Sequence, residues 1–561
     1  MRRITAFITC FLLALAALTT PPSARAFDHL FFFPVNDIDG NRYADLVVGS
    51  PDETVNGIER SGVIHVVYGS EPGLDAAAGP GAQMWTQADV DENEARHTPN
   101  ARFGASIALG KFDSDHYTDI AVGAPGLFDG AGAVYVIYGS PAGLSHDVRH
   151  ARIFYQDIVG VEDTRERGDQ FGHSLAAGDF NDDGVDDLAV GVPGESIGSA
   201  AEAGAVNILY GSATGIEGTN GPSVRFLHQD LQAFSGLVEA GDRFGEALAA
   251  GNLGPLYDDG DDLVIGSPGE DVSATGGTAV DAGMAQVVFG SRMLGLDVVS
   301  GSDIGLGSNQ ALSSSARAMA RGRVGSSLAT GRFNTLPFVE ELDDVAVGMP
   351  GWNVDHGAVL VFYSAGVNDA PTPVLTSGRS SFLRLPSSVL EADGGELSYG
   401  AALAAGDFDS DGDFDLAIGA PNEDNGNILN AGAVYIRNGS SRAFSSAPNA
   451  MGIRKVQGAG GIQNTAEASD HFGATLAAAN YAGAPLHNPF GVTSDLAIGA
   501  PNDQIRRRVG LQTVRSRAGS VTVLYGRENG GLDNTVQIWH QDSADLPETA
   551  ETSDSFGGAA R

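Results

Sequence analysis

Leu188-Ala-Val-Gly-Val-Pro193 decides the reading of this chain, because the phrase is written seven times. The other copies are Leu46-Val-Val-Gly-Ser-Pro51, Ile120-Ala-Val-Gly-Ala-Pro125, Leu263-Val-Ile-Gly-Ser-Pro268, Val345-Ala-Val-Gly-Met-Pro350, Leu416-Ala-Ile-Gly-Ala-Pro421 and Leu496-Ala-Ile-Gly-Ala-Pro501. Their prolines stand 74, 68, 75, 82, 71 and 80 residues apart. A second phrase precedes most copies: Phe103-Gly104, Phe171-Gly172, Phe244-Gly245, Val324-Gly325, Tyr399-Gly400 and Phe472-Gly473. A third follows them, a β-branched run closing on an aromatic and a glycine, as in Gly132-Ala-Val-Tyr-Val-Ile-Tyr-Gly139. A fourth run ends in Gln-Asp, as in Arg152-Ile-Phe-Tyr-Gln-Asp157 and Arg225-Phe-Leu-His-Gln-Asp230. Each period therefore reads as four short strands. Evenly spaced strands with one Gly/aromatic motif per unit predict an all-β, seven-bladed β-propeller of four-stranded antiparallel blades. The small-residue run Ser174-Leu-Ala-Ala-Gly178 suits the innermost strand, where seven strands crowd round a narrow channel.

The ends of the chain fit a closed ring. The first unit lacks a Phe-Gly ahead of it, and Ser555-Phe556-Gly557-Gly558-Ala559 is a Phe-Gly with nothing after it. The C-terminal segment is expected to supply the inner strand of the first blade, leaving no open edge. The alternative is a chain that stops inside an eighth repeat.

Three phrases in fixed order, repeated seven times from about residue 27 to the end, resemble the FG-GAP repeats of the integrin α-subunit N-terminal β-propeller and its bacterial relatives. The resemblance implies Ca²⁺ bound in loops between the first and second strands of a blade. It also implies a ligand-receiving face at the opposite end of the ring.

Acidic loops stand at that place in this sequence. Unit one has Asp37-Ile-Asp39-Gly-Asn41-Arg-Tyr43-Ala-Asp45, unit three Asp179-Phe-Asn181-Asp-Asp183-Gly-Val185-Asp-Asp187, and unit six Asp407-Phe-Asp409-Ser-Asp411-Gly-Asp413-Phe-Asp415. Side-chain oxygens fall at positions 1, 3, 5 and 9, and position 7 (Tyr43, Val185, Asp413) offers a backbone carbonyl. Ca²⁺ takes six to eight hard oxygens, and a tight loop of alternating acids turns them towards one point. Gly184 and Gly412 at position 6 supply the sharp turn. The flanks are strands and position 12 carries no Glu, which excludes an EF-hand. Unit two places Lys111 at position 1, ahead of Asp113, Asp115, Tyr117 and Asp119, so it is read as weak or metal-free. Units four (Asn252 to Asp262), five (Arg332 to Asp344) and seven (Asn480 to Asp495) have lengthened, broken loops. About three Ca²⁺ sites are expected.

The chain has 561 residues, with 32 Lys+Arg against 71 Asp+Glu and a net charge of -39. That balance argues against nucleic acid as a partner and favours cations, basic partners or simple solubility. Residues 1–26 read as a secretory signal peptide: Arg2 and Arg3, an apolar run from Thr5 to Leu18, and Ala24-Arg25-Ala26 as cleavage site. Cleavage would leave residues 27–561, a net charge of -42 and no cysteine, since Cys10 lies in the leader. The protein is thus expected to be secreted, extracellular or periplasmic, with no membrane span. His228-Gln-Asp230 and His540-Gln-Asp542 occupy a position filled elsewhere by Tyr155, which marks outer-strand packing, not acid–base chemistry. A nucleophile elbow and a phosphate-binding Gly-Lys-Ser/Thr are both missing. The expectation is a non-enzymatic interaction or adhesion module. Its unknown protein or surface ligand would bind on the face opposite the metal loops, among long loops read as an acidic set: Gly194 to Gly204, Leu231 to Gly241, Gly269 to Gly283, Asn422 to Gly432 and Asn502 to Gly519. The alternatives are an exported hydrolase or lyase on the same scaffold and a carbohydrate-binding propeller.

Overall fold

Seven four-stranded antiparallel sheets follow the seven repeats and are arranged as a β-propeller. The computed structural model describes residues 36–561 apart from segments in connecting regions, the longest being 91–97, 297–309, 312–318, 335–341, 365–374 and 483–492. Residues 1–26, expected from the sequence to be a signal peptide, and with them Cys10, lie outside the described residues. Blade two shows the common plan: Ser106–Gly110, Asp119–Ala124, Ala133–Ile137 and Arg152–Phe154, paired in that order. Blade three repeats it with Leu175–Gly178, Asp187–Val192, Ala205–Leu209 and Phe226–Leu227. Among the described residues no helix exceeds seven residues, and none is long and apolar enough to cross a membrane.

The second strand of each blade is the repeated phrase, and it is buried from end to end, as Asp187–Val192 shows. Apolar side chains on both faces account for this, since each blade is covered by a neighbour on either side. The core accordingly lies between blades. One cluster joins Val47 and Ile64 of blade one to Phe103, Ile120 and Tyr135 of blade two. The Phe of each Phe-Gly is fully buried at positions 103, 171, 244, 472 and 556; covering such a ring is worth roughly 1.5–3 kcal/mol. The repeated glycines meet at the same seams. A Cβ on Gly191 would lie 2.2 Å from the carbonyl oxygen of Gly245 in the next blade, so only glycine lets the two backbones approach. The aromatic that ends the third strand also reaches across: Tyr68 and Tyr138 hydroxyls accept the N–H groups of Leu144 and Ile216 at 3.3 and 3.2 Å.

Ring closure follows the expectation. Ala559–Ala560 pairs antiparallel with Leu46–Ser50, and blade one runs Ala559–Ala560, Leu46–Ser50, Val63–Val67, Gln83–Trp85. Gly557 stands against Gly499 as Gly245 stands against Gly191, with its carbonyl oxygen 2.4 Å from where a Cβ on Gly499 would be. The inner strands crowd Ala108, Ala176, Ala249, Ala329, Ala404 and Ala477 round a cavity of about 220 Å³.

The turns between second and third strands depart from a set of plain acidic loops. Val272–Ala274 pairs with Gly277–Ala279 in blade four, and Gln504–Val509 pairs with Gln512–Arg517 in blade seven. The second hairpin is not acidic: Arg506, Arg507, Arg508, Arg515 and Arg517 lie in it, against Asp503 just before it.

Candidate metal centres

The nine-residue loops of blades three and six enter straight from the inner strands Leu175–Gly178 and Leu403–Gly406 and lead into Asp187–Val192 and Asp415–Ala420. In blade one the loop Asp37 to Asp45 leads into Leu46–Ser50, whose inner partner is the C-terminal strand. Each loop is wound around its own carboxylates. Asp179 accepts the N–H groups of Asp183 and Gly184 at 3.1 and 2.9 Å, and Asp407 those of Asp411 and Gly412 at 3.2 and 3.1 Å. Asp37 accepts from Gly40, Asn41 and Arg42. The residue at position 5 folds back on position 7: Asn41 accepts from Tyr43, Asp183 from Val185 and Asp411 from Asp413, all at 2.8–3.0 Å. Gly184 and Gly412 hold φ of 88° and 91°, the left-handed turn expected of position 6.

The structure therefore gathers the sequence-predicted residues of each loop around one turn. Asp37, Asp39 and Asp45 bring carboxylate oxygens within 4.8 Å of one another, as do Asp407, Asp409 and Asp415. Blade two does so as well with Asp113, Asp115 and Asp119, although Lys111 stands at position 1. Position 3 carries a further signal. Asn181 Oδ1 and Asp409 Oδ1 are buried and have no hydrogen-bond partner. A buried oxygen without a donor is costly, and a cation is one way to satisfy it. Burial pushes the Asp37 carboxyl up to about 6 and that of Asp415 up to about 7, and the neighbouring loop carboxylates add to the rise. Ionised loops of this kind need a positive charge nearby.

Position 9 does something that spacing alone did not reveal. Both oxygens of Asp187 accept backbone N–H groups, from Phe180 at 3.0 Å and from Gly211 at 2.9 Å. Asp45 does the same with Ile38 and Gly69, Asp119 with Phe112 and Gly139, and Asp415 with Phe408 and Gly439. So do Asp262 with Leu253 and Gly290 and Asp495 with Tyr481 and Gly526, where the loops are broken. Asp344 accepts from Ser364. This aspartate ties the first loop to the end of the third strand in every blade, with or without metal spacing. The signal was present in the sequence, since all seven phrases begin one residue earlier with Asp.

A blade with a Phe-Gly entry strand, an aspartate-anchored loop and a Gly-x-Pro exit defines one class of β-propeller. The chain carries FG-GAP repeats: the model of the FG-GAP repeat matches residues 103–137, 171–209 and 399–436, in blades two, three and six. Over 188 residues the chain is 33% identical to phosphatidylinositol-glycan-specific phospholipase D of Bos taurus, covering 32% of this chain and 20% of that protein. Over 159 residues it is 33% identical to integrin alpha-7 of Mus musculus, covering 28% of this chain and 12% of that one. The chain thus spans a fifth or less of these relatives, and the likeness is one of repeats. The crystal structure of the V. cholerae biofilm matrix protein Bap1 aligns over 92% of this chain and 90% of that one at 11% identity, with a TM-score of 0.22, too low to carry an argument.

Proposed function

We propose that the protein is an exported, calcium-binding β-propeller that acts as an interaction and adhesion module. The observation that carries the calcium is the pair of unpartnered buried oxygens at position 3, Asn181 Oδ1 and Asp409 Oδ1, the second inside a loop whose acids Asp407, Asp409 and Asp415 converge. The ligands are Asp37, Asp39, Asn41, Asp45 and the Tyr43 carbonyl in blade one. In blade three they are Asp179, Asn181, Asp183, Asp187 and the Val185 carbonyl, and in blade six Asp407, Asp409, Asp411, Asp415 and the Asp413 carbonyl. Ca²⁺ supplies the charge that lets these carboxylates stay ionised side by side. Export is read from the leader-like first 26 residues. The interaction role rests on the repeats shared with integrin alpha subunits.

The ligand face is the end opposite the metal loops, where the Gln504–Arg517 hairpin stands. Five arginines on one hairpin in a chain of net charge -39 suit an acidic protein or cell-surface ligand. Thermal unfolding in Ca²⁺ and in EDTA tests the calcium. An ion present at 100 times its Kd adds about 2.7 kcal/mol for each site, and Asp411→Ala is expected to remove one such step. Equal melting temperatures in millimolar Ca²⁺ and EDTA would end this reading. The likeness to a phosphatidylinositol-glycan-specific phospholipase D favours one other reading, an exported hydrolase. Turnover of a phosphatidylinositol-glycan by the purified chain would put it first.

A further inference from the structure

The turn after each second strand lies at the opposite end of the blade from the aspartate loops. Glu195 and Glu270 hold the same place in that turn, two residues after Pro193 and Pro268. Each is 3% exposed. Beside them stand Asp169 and Asp242, 2% and 1% exposed, from the approach to the first strand of the same blade. These aspartates accept the N–H groups of Glu166 and Glu239. Glu166, Asp169 and Glu195 bring carboxylate oxygens within 4.8 Å of one another. The preceding blade contributes an amide across the joint. Gln156 Nε2 donates to Glu195 Oε2 at 2.6 Å, and Gln229 Nε2 donates to Glu270 Oε2 at 2.6 Å. The other half of each amide, Gln156 Oε1 and Gln229 Oε1, is buried and has no hydrogen-bond partner, on side chains 0% and 4% exposed.

The ring-closing joint repeats the constellation. Gln541 Nε2 of blade seven donates to Glu53 of blade one, Glu53 groups with Glu551 and Asp554, and Gln541 Oε1 is again buried without a partner. Among the described residues no Lys or Arg is ion-paired with Asp169, Glu195, Asp242 or Glu270. Blade six shows what the turn position does when a cation is built in: Glu423 meets Arg454 Nε at 2.6 Å. The joints of Glu195 and Glu270 each hold two buried acids and an orphaned amide oxygen, with no Lys or Arg ion-paired to those acids among the described residues. That is the donor set of a hard divalent cation.

We propose that three blade joints each bind a divalent cation of the Ca²⁺ class, separate from the loop ions and at the other end of the ring. The ligands are Glu195, Asp169 and the Gln156 amide oxygen between blades two and three. They are Glu270, Asp242 and the Gln229 amide oxygen between blades three and four, and Glu53, Asp554 and the Gln541 amide oxygen where the ring closes. Rotation about the last side-chain bond exchanges Nε2 for Oε1, so the amide that donates to the carboxylate in the ion-free joint presents its oxygen to the ion. The ion would bridge consecutive blades and, at the last joint, the two ends of the chain. Burial foremost pushes the Glu195 and Glu270 carboxyls up to about 7, the response of acids enclosed without a counter-charge.

The test counts ions. Full-length protein stripped with a chelator is titrated with Ca²⁺ at pH 8, and bound ion is measured by equilibrium dialysis. Glu195→Gln is expected to bind one ion fewer per chain than the wild type. Asp183→Asn is expected to lose a loop ion and keep the joint ions, so the two kinds of site fail separately. A Glu195→Gln protein that binds as many ions as the wild type overturns the proposal. Should that variant not fold, the wild type decides alone: crystals grown with Mn²⁺ are expected to show an anomalous peak between Gln156 and Glu195. A joint closed there by a protonated carboxyl on the amide, with no ion, overturns it.

Discussion

Blades three and four are neighbours in the ring, and they treat the same turn differently. Blade three joins its first two strands through nine residues with acids or amides at positions 1, 3, 5 and 9; blade four uses Asn252 to Asp262, longer and with that spacing lost. The last residue is nevertheless the same and does the same thing. Asp187 accepts N–H groups from Phe180 and Gly211, and Asp262 from Leu253 and Gly290, at 2.7–3.0 Å. The difference separates two roles that the sequence merges in one motif. Position 9 holds the blade together. Positions 1, 3 and 5 are where blades differ, and they alone distinguish a metal loop from a plain one.

The largest expected effect breaks the comparison if it fails. Asp187→Ala and Asp262→Ala each strand two buried backbone donors, at roughly 1–3 kcal/mol apiece. Both variants should lose roughly 2–6 kcal/mol in urea unfolding, and Asp262→Ala should lose it equally in Ca²⁺ and in EDTA. If Asp262→Ala unfolds like the wild type, the two backbone bonds of the ninth aspartate do not hold blade four together, and the anchoring role separated here from metal binding fails.

Legibility in the sequence followed repetition. The seven copies, the four strands of each period and the stapling of blade one by Phe556-Gly557 were readable because identical physical needs recur at a fixed period. The acids of the loops were readable because their spacing is local. The joints were not, because Gln156 and Glu195 are 39 residues apart and Gln541 and Glu53 are 488 apart. A signal existed: Glu166 and Asp169, Glu239 and Asp242, Glu467 and Asp470, and Glu551 and Asp554 all precede a Phe-Gly at one spacing. In the sequence the recurrent Gln-Asp only marks the end of the fourth strand, and the fold alone shows its glutamine crossing to the next blade.

A smaller effect sharpens the comparison through pH. Asp344 and Asp495 anchor blades five and seven, where the loops are broken, and burial pushes their carboxyls up to about 8 and about 7. Their folded-state values lie above the unfolded carboxylate range near 4. The native chain therefore holds protons that the unfolded chain releases, and the stability they give is lost as pH rises from about 4 through 8. Melting temperature in EDTA should fall between pH 6 and pH 8. The gap between Ca²⁺ and EDTA should widen over the same range, because protons compete with the ion for Asp37 and Asp415. A gap that stays constant would mean that no titrating loop carboxylate binds the ion.

The smallest effect concerns the sixth position, where the metal loops themselves disagree. Gly412 turns at φ 91° with open space around a would-be Cβ, whereas Arg42 of blade one holds φ 80° at the same place. Left-handed backbone costs a side-chain-bearing residue roughly 1–2 kcal/mol. Gly412→Ala should therefore lose about 1 kcal/mol, with no clash to add to it. Arg42→Gly should relieve the same strain, offset in part by the looser unfolded chain, roughly 0.4–1 kcal/mol. Its net gain should be about 0.5 kcal/mol. Chemical unfolding of both variants in EDTA reads the backbone alone. If Arg42→Gly destabilises instead, the arginine side chain contributes to the blade-one loop more than its strain costs, and the three loops are not equivalent as folded units.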